Sequence, residues 1–170
     1  MIQWPTQAEV LSNKSPYGDP RSKDRLRMSP GWEAKNIIYI TPPFRMTYAG
    51  EVVKRIRVHK FCAASLGRVF DDLLAAAKAK DTANPQKVLD HWGVSIFGGC
   101  VMYRLMRGSN RPSIHSYGAA IDLDPARNGL GDTTPRFAQF PEVLAAFAKE
   151  GWMWGGKWSR PDGMHWQATR

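Results

Sequence analysis

One amphipathic segment constrains the fold of this chain more than any other part of its sequence. Within residues 60–79, apolar side chains recur at i, i+3 and i+4 spacing, at Cys62, Leu66, Val69, Phe70, Leu73, Leu74 and Ala77. This period places them along one stripe of an α-helix, and such a stripe must be buried against other elements. The sequence therefore predicts a long helix packed on a hydrophobic core.

Shorter segments around this helix predict a mixed fold. Asn84 and Pro85 predict the N-cap and first residue of a second helix, and Pro141 begins a third helix that Gly151 ends. Short β-branched or alternating runs predict strands at residues 52–58, 101–107, 119–124 and 164–167. We expect a single α+β domain with a small, mostly antiparallel sheet and helices packed on one side of it.

Residues 1–50 differ from the rest of the chain. They are rich in Pro, Gly, Ser and Asn and have no sustained apolar period, which predicts an irregular arm and not an independent fold. Four aromatic residues indicate that parts of the arm pack down: Trp4, Trp32, Tyr39 and Phe44. We therefore expect an N-terminal arm over residues 1–50, packed on a folded domain over residues 51–170.

Composition excludes several classes of protein. Of the 170 residues, 43% are hydrophobic and 23% are charged, which is enough for a core and excludes general disorder. No stretch of about 18 apolar residues occurs, so no membrane span is expected, and the first residues lack the basic and apolar regions of a secretory signal. Cys62 and Cys100 lack the spacing of a disulfide scaffold or a zinc knuckle, and we expect both in the core.

The net charge of +9 favours anionic partners such as wall polymers, lipopolysaccharide or nucleic acid. The basic residues are scattered along the chain in runs of at most two, and the sequence contains no recognised nucleic-acid-binding motif. We therefore expect a surface that adheres to a polyanion, and we do not expect nucleic acid as the partner.

Two histidines lie in contexts unlike ordinary core positions. His115 precedes Asp122 by seven residues, and the alternation of residues 119–124 places Asp122 on the strand face away from the core. His165 follows Asp162 by three residues. Imidazole, carboxylate and imidazole are the usual three ligands of a catalytic zinc, which keeps its fourth position for water. Spacing alone leaves two alternatives open. The two histidines need not share a metal site, and Asp162 can be an ordinary turn residue of the sequence Pro-Asp-Gly.

The whole pattern is more specific than its parts. It consists of Ser113-x-His115-x-x-Gly118-x-Ala120-x-Asp122, then Trp154-Gly155-Gly156-x-Trp158, then Asp162-x-x-His165-Trp166. In these motifs, residues 53–168 resemble the zinc peptidases of peptidoglycan stem peptides. That family includes the VanY-like D-Ala-D-Ala carboxypeptidases and the phage L-alanyl-D-glutamate endopeptidases, and its fold is shared with the Hedgehog signalling domain.

The resemblance implies a cofactor and the residues that hold it. It assigns one Zn2+ per chain to His115, Asp122 and His165. It assigns the general base to Asp162, a position where many members of the family carry glutamate. Such a base takes a proton from water, while zinc acidifies that water and polarises the scissile carbonyl.

The resemblance also implies residues that meet the substrate. An arginine upstream of the first histidine stabilises the oxyanion in this family, which favours Arg104, with Arg107 as the second choice. On a strand these two side chains point to opposite faces, so at most one would face the metal. We expect further substrate-binding residues at Ser113, Tyr117, Trp154 and Trp166.

The function implied by the resemblance is hydrolysis of an amide bond in peptidoglycan by a monomeric zinc metallopeptidase. Because no signal peptide is visible, we expect a phage or prophage endolysin, an L-alanyl-D-glutamate endopeptidase that accumulates in the cytoplasm and reaches the wall through a holin. A D-Ala-D-Ala carboxypeptidase is the alternative within the family. A non-catalytic module that binds the cell wall or another polyanion is the alternative from a different class.

Overall fold

The computed structural model describes residues 3–106 and 108–170. The helices in these residues are α1 (Gln7–Val10), α2 (Pro30–Asn36), α3 (Lys60–Lys80), α4 (Pro85–Trp92) and α5 (Pro141–Lys149). The strands are β1 (Ile37–Ile40), β2 (Thr47–Tyr48), β3 (Glu51–Val52), β4 (Ile56–His59), β5 (Phe97–Gly99), β6 (Ala120–Leu123), β7 (Met153–Trp154) and β8 (His165–Gln167). The predicted α+β class is confirmed.

The amphipathic segment forms α3, as predicted. Its buried stripe contains six of the seven predicted apolar residues, Cys62, Leu66, Val69, Phe70, Leu73 and Ala77, and Leu74 is partly buried. His59 caps the helix, because its Nδ1 accepts a hydrogen bond from the N–H of Phe61 at 3.2 Å. The helix contacts α4, α5 and β1, so it lies at the centre of the core.

The strands pair in small antiparallel sheets. β1 pairs with β4, and β2 pairs with β3. The largest sheet has the order β5-β6-β8-β7, with every pairing antiparallel. Helix α5 covers one face of this sheet, where the ring of Phe147 stacks on Trp166 with centroids 4.0 Å apart. Because successive side chains of a strand alternate, His165 lies on the opposite face.

Residues 3–50 contribute regular elements and contact the C-terminal end of the chain. Trp4 donates its indole N–H to the carbonyl oxygen of Glu150 at 2.9 Å, and the Tyr17 hydroxyl donates to the carbonyl oxygen of Ala168 at 2.7 Å. The side chains of Trp4, Trp32 and Phe44 are buried, whereas that of Tyr39 is 55% exposed. No helix of the described residues is long and apolar enough to cross a membrane. Both cysteines are free and buried, as predicted.

The strand predicted at residues 101–107 was wrong over its described part. Residues 101–106 form no strand, and residue 107 lies outside the described residues. The backbone groups of this segment bond to a loop instead of a sheet. The N–H of Ser113 donates to the carbonyl oxygen of Arg104 at 2.9 Å, and the N–H of Arg104 donates to Ser116 Oγ at 3.0 Å. Residues 101–106 therefore pack beside the turn that contains His115, the first candidate ligand.

Candidate functional site

Three elements bring the candidate ligands together. His115 lies in a short 3-10 turn, Ile114–Tyr117, which ends at Gly118 with φ of +67°. A Cβ at Gly118 would lie 2.9 Å from a neighbouring backbone nitrogen, so this tight turn requires glycine. Asp122 and His165 are register partners on β6 and β8, which places both side chains on the same face of the sheet.

Three ligand atoms converge at one point of this face. His115 Nε2 lies 3.1 Å from Asp122 Oδ1 and 3.1 Å from His165 Nδ1, and the last two atoms lie 3.0 Å apart. None of the three residues is more than 7% exposed. A tetrahedral zinc with ligands at about 2.0–2.1 Å separates neighbouring ligand atoms by about 3.3 Å, which is close to the observed triangle.

The outer nitrogens of both histidines face hydrogen-bond acceptors. His115 Nδ1 lies 2.8 Å from the carbonyl oxygen of Cys100, and His165 Nε2 lies 3.0 Å from Gln167 Oε1. Since a carbonyl oxygen only accepts, each outer nitrogen carries the proton and each inner nitrogen presents a lone pair. Two imidazole lone pairs and a carboxylate oxygen of Asp122 therefore face one another with no proton between them. The donor set fits a divalent cation such as zinc.

The two carboxyl groups near this point have pKa values shifted in opposite directions. Burial acts to raise the pKa of Asp122, but when a proton takes the place of the cation, hydrogen bonds and positive charge from His115 and His165 outweigh burial and hold that pKa below its ordinary value. Burial raises the pKa of Asp162, and the charge of Asp122 adds to the rise, against the charges of His165 and Arg104. At a given pH, Asp122 therefore stays ionised, whereas Asp162 more readily takes a proton.

Asp162 is held beside the ligands by its backbone. Its N–H donates to the carbonyl oxygen of Gly155 at 2.9 Å, and its carbonyl oxygen accepts from the N–H of His165 at 3.1 Å. A Cβ at Gly155 would lie 2.6 Å from that carbonyl oxygen. Asp162 Oδ1 is buried without a hydrogen-bond partner in the described part of the chain. Buried unpaired oxygens are rare, and this one is free to accept a proton or a hydrogen bond from a bound molecule.

One of the two candidate arginines acts on this carboxylate through its charge. The charge of Arg104, which is exposed, acts on Asp162 and lowers its pKa. Ser116 Oγ accepts from the N–H of Arg104 and donates to its carbonyl oxygen at 2.8 Å, so the turn of His115 also fixes the backbone of this arginine. Arg107 lies outside the described residues.

The four predicted substrate-binding residues fall into two groups. Ser113 and Tyr117 are buried at the two ends of the turn that carries His115. Trp154 and Trp166 are register partners whose rings stack 5.5 Å apart. They lie on the sheet face that α5 covers, away from the ligand atoms.

Sequence reasoning missed the two groups that orient the histidine rings. Gln167 follows His165 by two positions on β8, so the two-residue period of a strand could have predicted that both share a face. The other group is the backbone carbonyl of Cys100, and a backbone contact of this kind has no sequence pattern. Both are contacts that set the tautomer of a metal-binding histidine.

The comparison with known families agrees with this geometry. Residues 107–168 match the family model described as D-alanyl-D-alanine carboxypeptidase. The matched segment contains all three candidate ligands and Asp162, and it confirms the resemblance drawn from the motifs. No curated protein and no solved structure gives a significant match to the chain.

Proposed function

We propose that this chain, which matches the D-alanyl-D-alanine carboxypeptidase family over residues 107–168, is a monomeric zinc peptidase that hydrolyses an amide bond in peptidoglycan stem peptides. One observation carries the proposal. The lone pairs of His115 and His165 converge with an oxygen of Asp122, beside the buried and unpaired Oδ1 of Asp162. A zinc ion held by these ligands supplies Lewis-acid chemistry, namely the acidification of water and the polarisation of a carbonyl oxygen.

We assign the general base to Asp162, whose Oδ1 is buried without a partner and whose pKa is raised by burial. Its Oδ1 accepts a proton from the attacking water and then returns that proton to the leaving amine nitrogen, so the carboxylate is regenerated. Its raised pKa helps the first transfer, because a more basic carboxylate takes the proton from water more readily.

The remaining side chains hold this arrangement in place. The Cys100 carbonyl and Gln167 keep His115 and His165 in the tautomers that present a lone pair to the centre. We assign to Arg104, whose exposed charge acts on Asp162, the role of donating to the substrate carbonyl oxygen as negative charge develops on that oxygen.

Two bonds of the stem peptide are candidates. On the likeness of the motifs to phage enzymes, we propose the L-alanyl-D-glutamate bond, and with it the role of a phage or prophage endolysin released through a holin. The description of the matched family favours instead the terminal D-Ala-D-Ala bond. That activity additionally requires a cation to hold the free terminal carboxylate.

Elemental analysis and mass spectrometry test the proposal together. Protein prepared without chelator should contain close to one zinc per chain, and digestion of purified peptidoglycan should stop when chelator is added. Products that begin with D-glutamate would identify the endopeptidase, whereas loss of one terminal D-alanine would identify the carboxypeptidase. Absence of both metal and product would favour a non-catalytic module that binds the wall.

A further inference from the structure

The loop of residues 124–135, which follows β6, lies against the segment that carries Asp162. The N–H of Gly131 in this loop donates to the carbonyl oxygen of Pro161 at 2.6 Å. Next to this hydrogen bond, Leu130 pairs with Asp162 in an antiparallel bridge. The chemistry proposed for the metal centre gives Leu130 no role.

This pairing places the side chain of Leu130 beside that of Asp162. The hydrogen bond joins the residue after Leu130 to the residue before Asp162, so the two paired residues are not bonded to each other. In such an antiparallel pair both side chains project from the same face, with their Cβ atoms about 5 Å apart. The isobutyl group of Leu130 therefore lies next to the carboxylate of Asp162.

Leu130 is also open to a bound molecule. It is 43% exposed, and Asp162 beside it is partly exposed. On the other side of Asp162 lies Gly155, whose carbonyl oxygen accepts from the N–H of Asp162. A Cβ at Gly155 would lie 3.3 Å from the Cβ atoms of both Asp162 and His165, so that side is closed by backbone. A molecule held at Asp162 therefore meets the apolar side chain of Leu130.

The position of Leu130 beside the proposed base determines which part of the substrate it meets. A general base that has taken a proton from water returns it to the leaving amine, so the amine nitrogen must come within hydrogen-bond distance of the Asp162 carboxylate. The residue that carries this nitrogen then lies against the neighbour of Asp162. We propose that Leu130 determines specificity by packing on the aliphatic part of the residue on the amine side of the cleaved bond, an inference that rests on the proposed function.

An apolar contact at this point suits both candidate bonds. D-glutamate presents methylene groups near its nitrogen, and a terminal D-alanine presents a methyl group. Leu130 removes such groups from water but offers no partner to a charged or hydrogen-bonding group. We therefore expect activity to depend on the aliphatic carbons of the amine-side residue.

A cycle of enzyme and substrate variants tests the contact. Zinc-loaded wild type and Leu130→Ala are compared on the stem peptide that is cleaved and on an analogue whose amine-side residue is one methylene shorter. This analogue carries D-aspartate for D-glutamate, or glycine for D-alanine. For the wild type, we expect kcat/KM to be about tenfold lower on the analogue. Leu130→Ala should lower kcat/KM on the natural peptide by about tenfold and remove most of the preference between the two peptides.

Further variants separate this contact from a change in the loop. Leu130→Met keeps an apolar side chain of similar volume and should retain most of the wild-type kcat/KM, whereas Leu130→Asn, which is polar, should not. Leu26→Ala makes the same truncation at a leucine that is 83% exposed, and it should leave the kinetics on both peptides unchanged. Zinc content should stay near one per chain in all four variants.

The contact and the peptidase proposal fail in different ways. If Leu130→Ala lowers kcat/KM equally on both peptides, or if the wild type does not distinguish them, Leu130 does not touch the amine-side residue even though the stem peptide is cleaved. If the zinc-loaded wild type cleaves neither peptide, the proposed function is overturned, and the contact is overturned with it.

Discussion

At the scale of single residues, Asp162 has a free carboxylate oxygen next to ligands that it does not join. Asp162→Asn keeps the size of the side chain and removes the base, so zinc content should stay near one per chain while turnover falls by about 10²–10⁴-fold. Elemental analysis and a stem-peptide cleavage assay measure the two quantities. Asp71→Asn, on the exposed surface of α3, is the control and should alter neither. Full activity of the Asp162 variant would mean that another group accepts the proton.

In the proposed centre, Gln167 acts on the metal only through its contact with His165, so its effect should appear in metal affinity. Gln167→Leu removes the acceptor for the Nε2–H of His165 and frees that ring to rotate or change tautomer. We expect zinc affinity to fall by about 10–100-fold, measured by competition with a chelator of known affinity. Gln139→Leu, at an exposed position, is the matched control. Equal affinities would show that the Gln167 contact does not orient the ring.

At the scale of elements, the 3-10 segment Gly155–Lys157 sets the position of the loop that carries Asp162. In Gly155→Ala the new Cβ would meet the Asp162 carbonyl oxygen at 2.6 Å, so the backbone that holds Asp162 must shift. We expect zinc to remain bound and kcat to fall by about 10²-fold with KM little changed, because the base is displaced and not removed. In Gly67→Ala the Cβ meets nothing within 4 Å, and this control should keep wild-type kinetics. An unchanged kcat for Gly155→Ala would show that the loop tolerates the shift.

The elements that carry their own pattern were predictable from sequence, and those held by distant contacts were not. The apolar period of α3 and the alternation of β6 follow from burial of one face, so both patterns are visible in a short stretch of sequence. Helices α1 and α2, of 4 and 7 residues, are too short to show a period. Residues 101–106 read as a strand, but their backbone partners belong to a loop that lies later in the chain.

The candidate site was likewise predictable where its signal is local and unpredictable where it depends on distant contacts. The residue types and their family motifs are visible in the sequence, whereas the approach of Asp122 to His165 depends on the register of β6 against β8. No local pattern encodes that register, because it is set by the packing of whole strands. The same holds for Trp154 and Trp166. Trp166 directly follows His165 in sequence, while strand alternation turns its ring, together with the ring of its register partner Trp154, to the other face.

At the scale of the whole molecule, the candidate zinc ligands lie on a turn and two strands that the core already holds in place. We therefore expect removal of zinc by chelator to abolish cleavage and lower the melting temperature while the near-ultraviolet circular dichroism of the tryptophans persists. Differential scanning calorimetry with and without zinc measures the shift, and restored activity on adding zinc back is the control. Loss of all tertiary signal on chelation would mean that zinc is required for folding.

The unfolding free energy should also depend on His59, which is fully buried between the N-terminal residues and α3. Its Nε2 lies 3.2 Å from the carbonyl oxygen of Tyr17, and burial lowers the pKa of His59 to about 4. In the unfolded chain the pKa is about 6.5, so between these values the unfolded state binds a proton that the folded state excludes. The stability contributed by neutral His59 is therefore complete above pH 6.5 and is lost as the pH falls toward 4, by about 3 kcal/mol in total.

His59→Asn tests this linkage because asparagine also caps a helix and carries no titrating group. Urea denaturation of wild type and variant, repeated at steps between pH 7 and pH 4, gives the unfolding free energy of each. We expect the variant to be less stable at pH 7, since it loses the bond to Tyr17 and buried ring contacts, but to lose less stability on acidification. His91→Asn, the control at an exposed histidine, should keep the wild-type slope. Parallel curves for wild type and His59→Asn would show that His59 does not resist protonation in the folded protein.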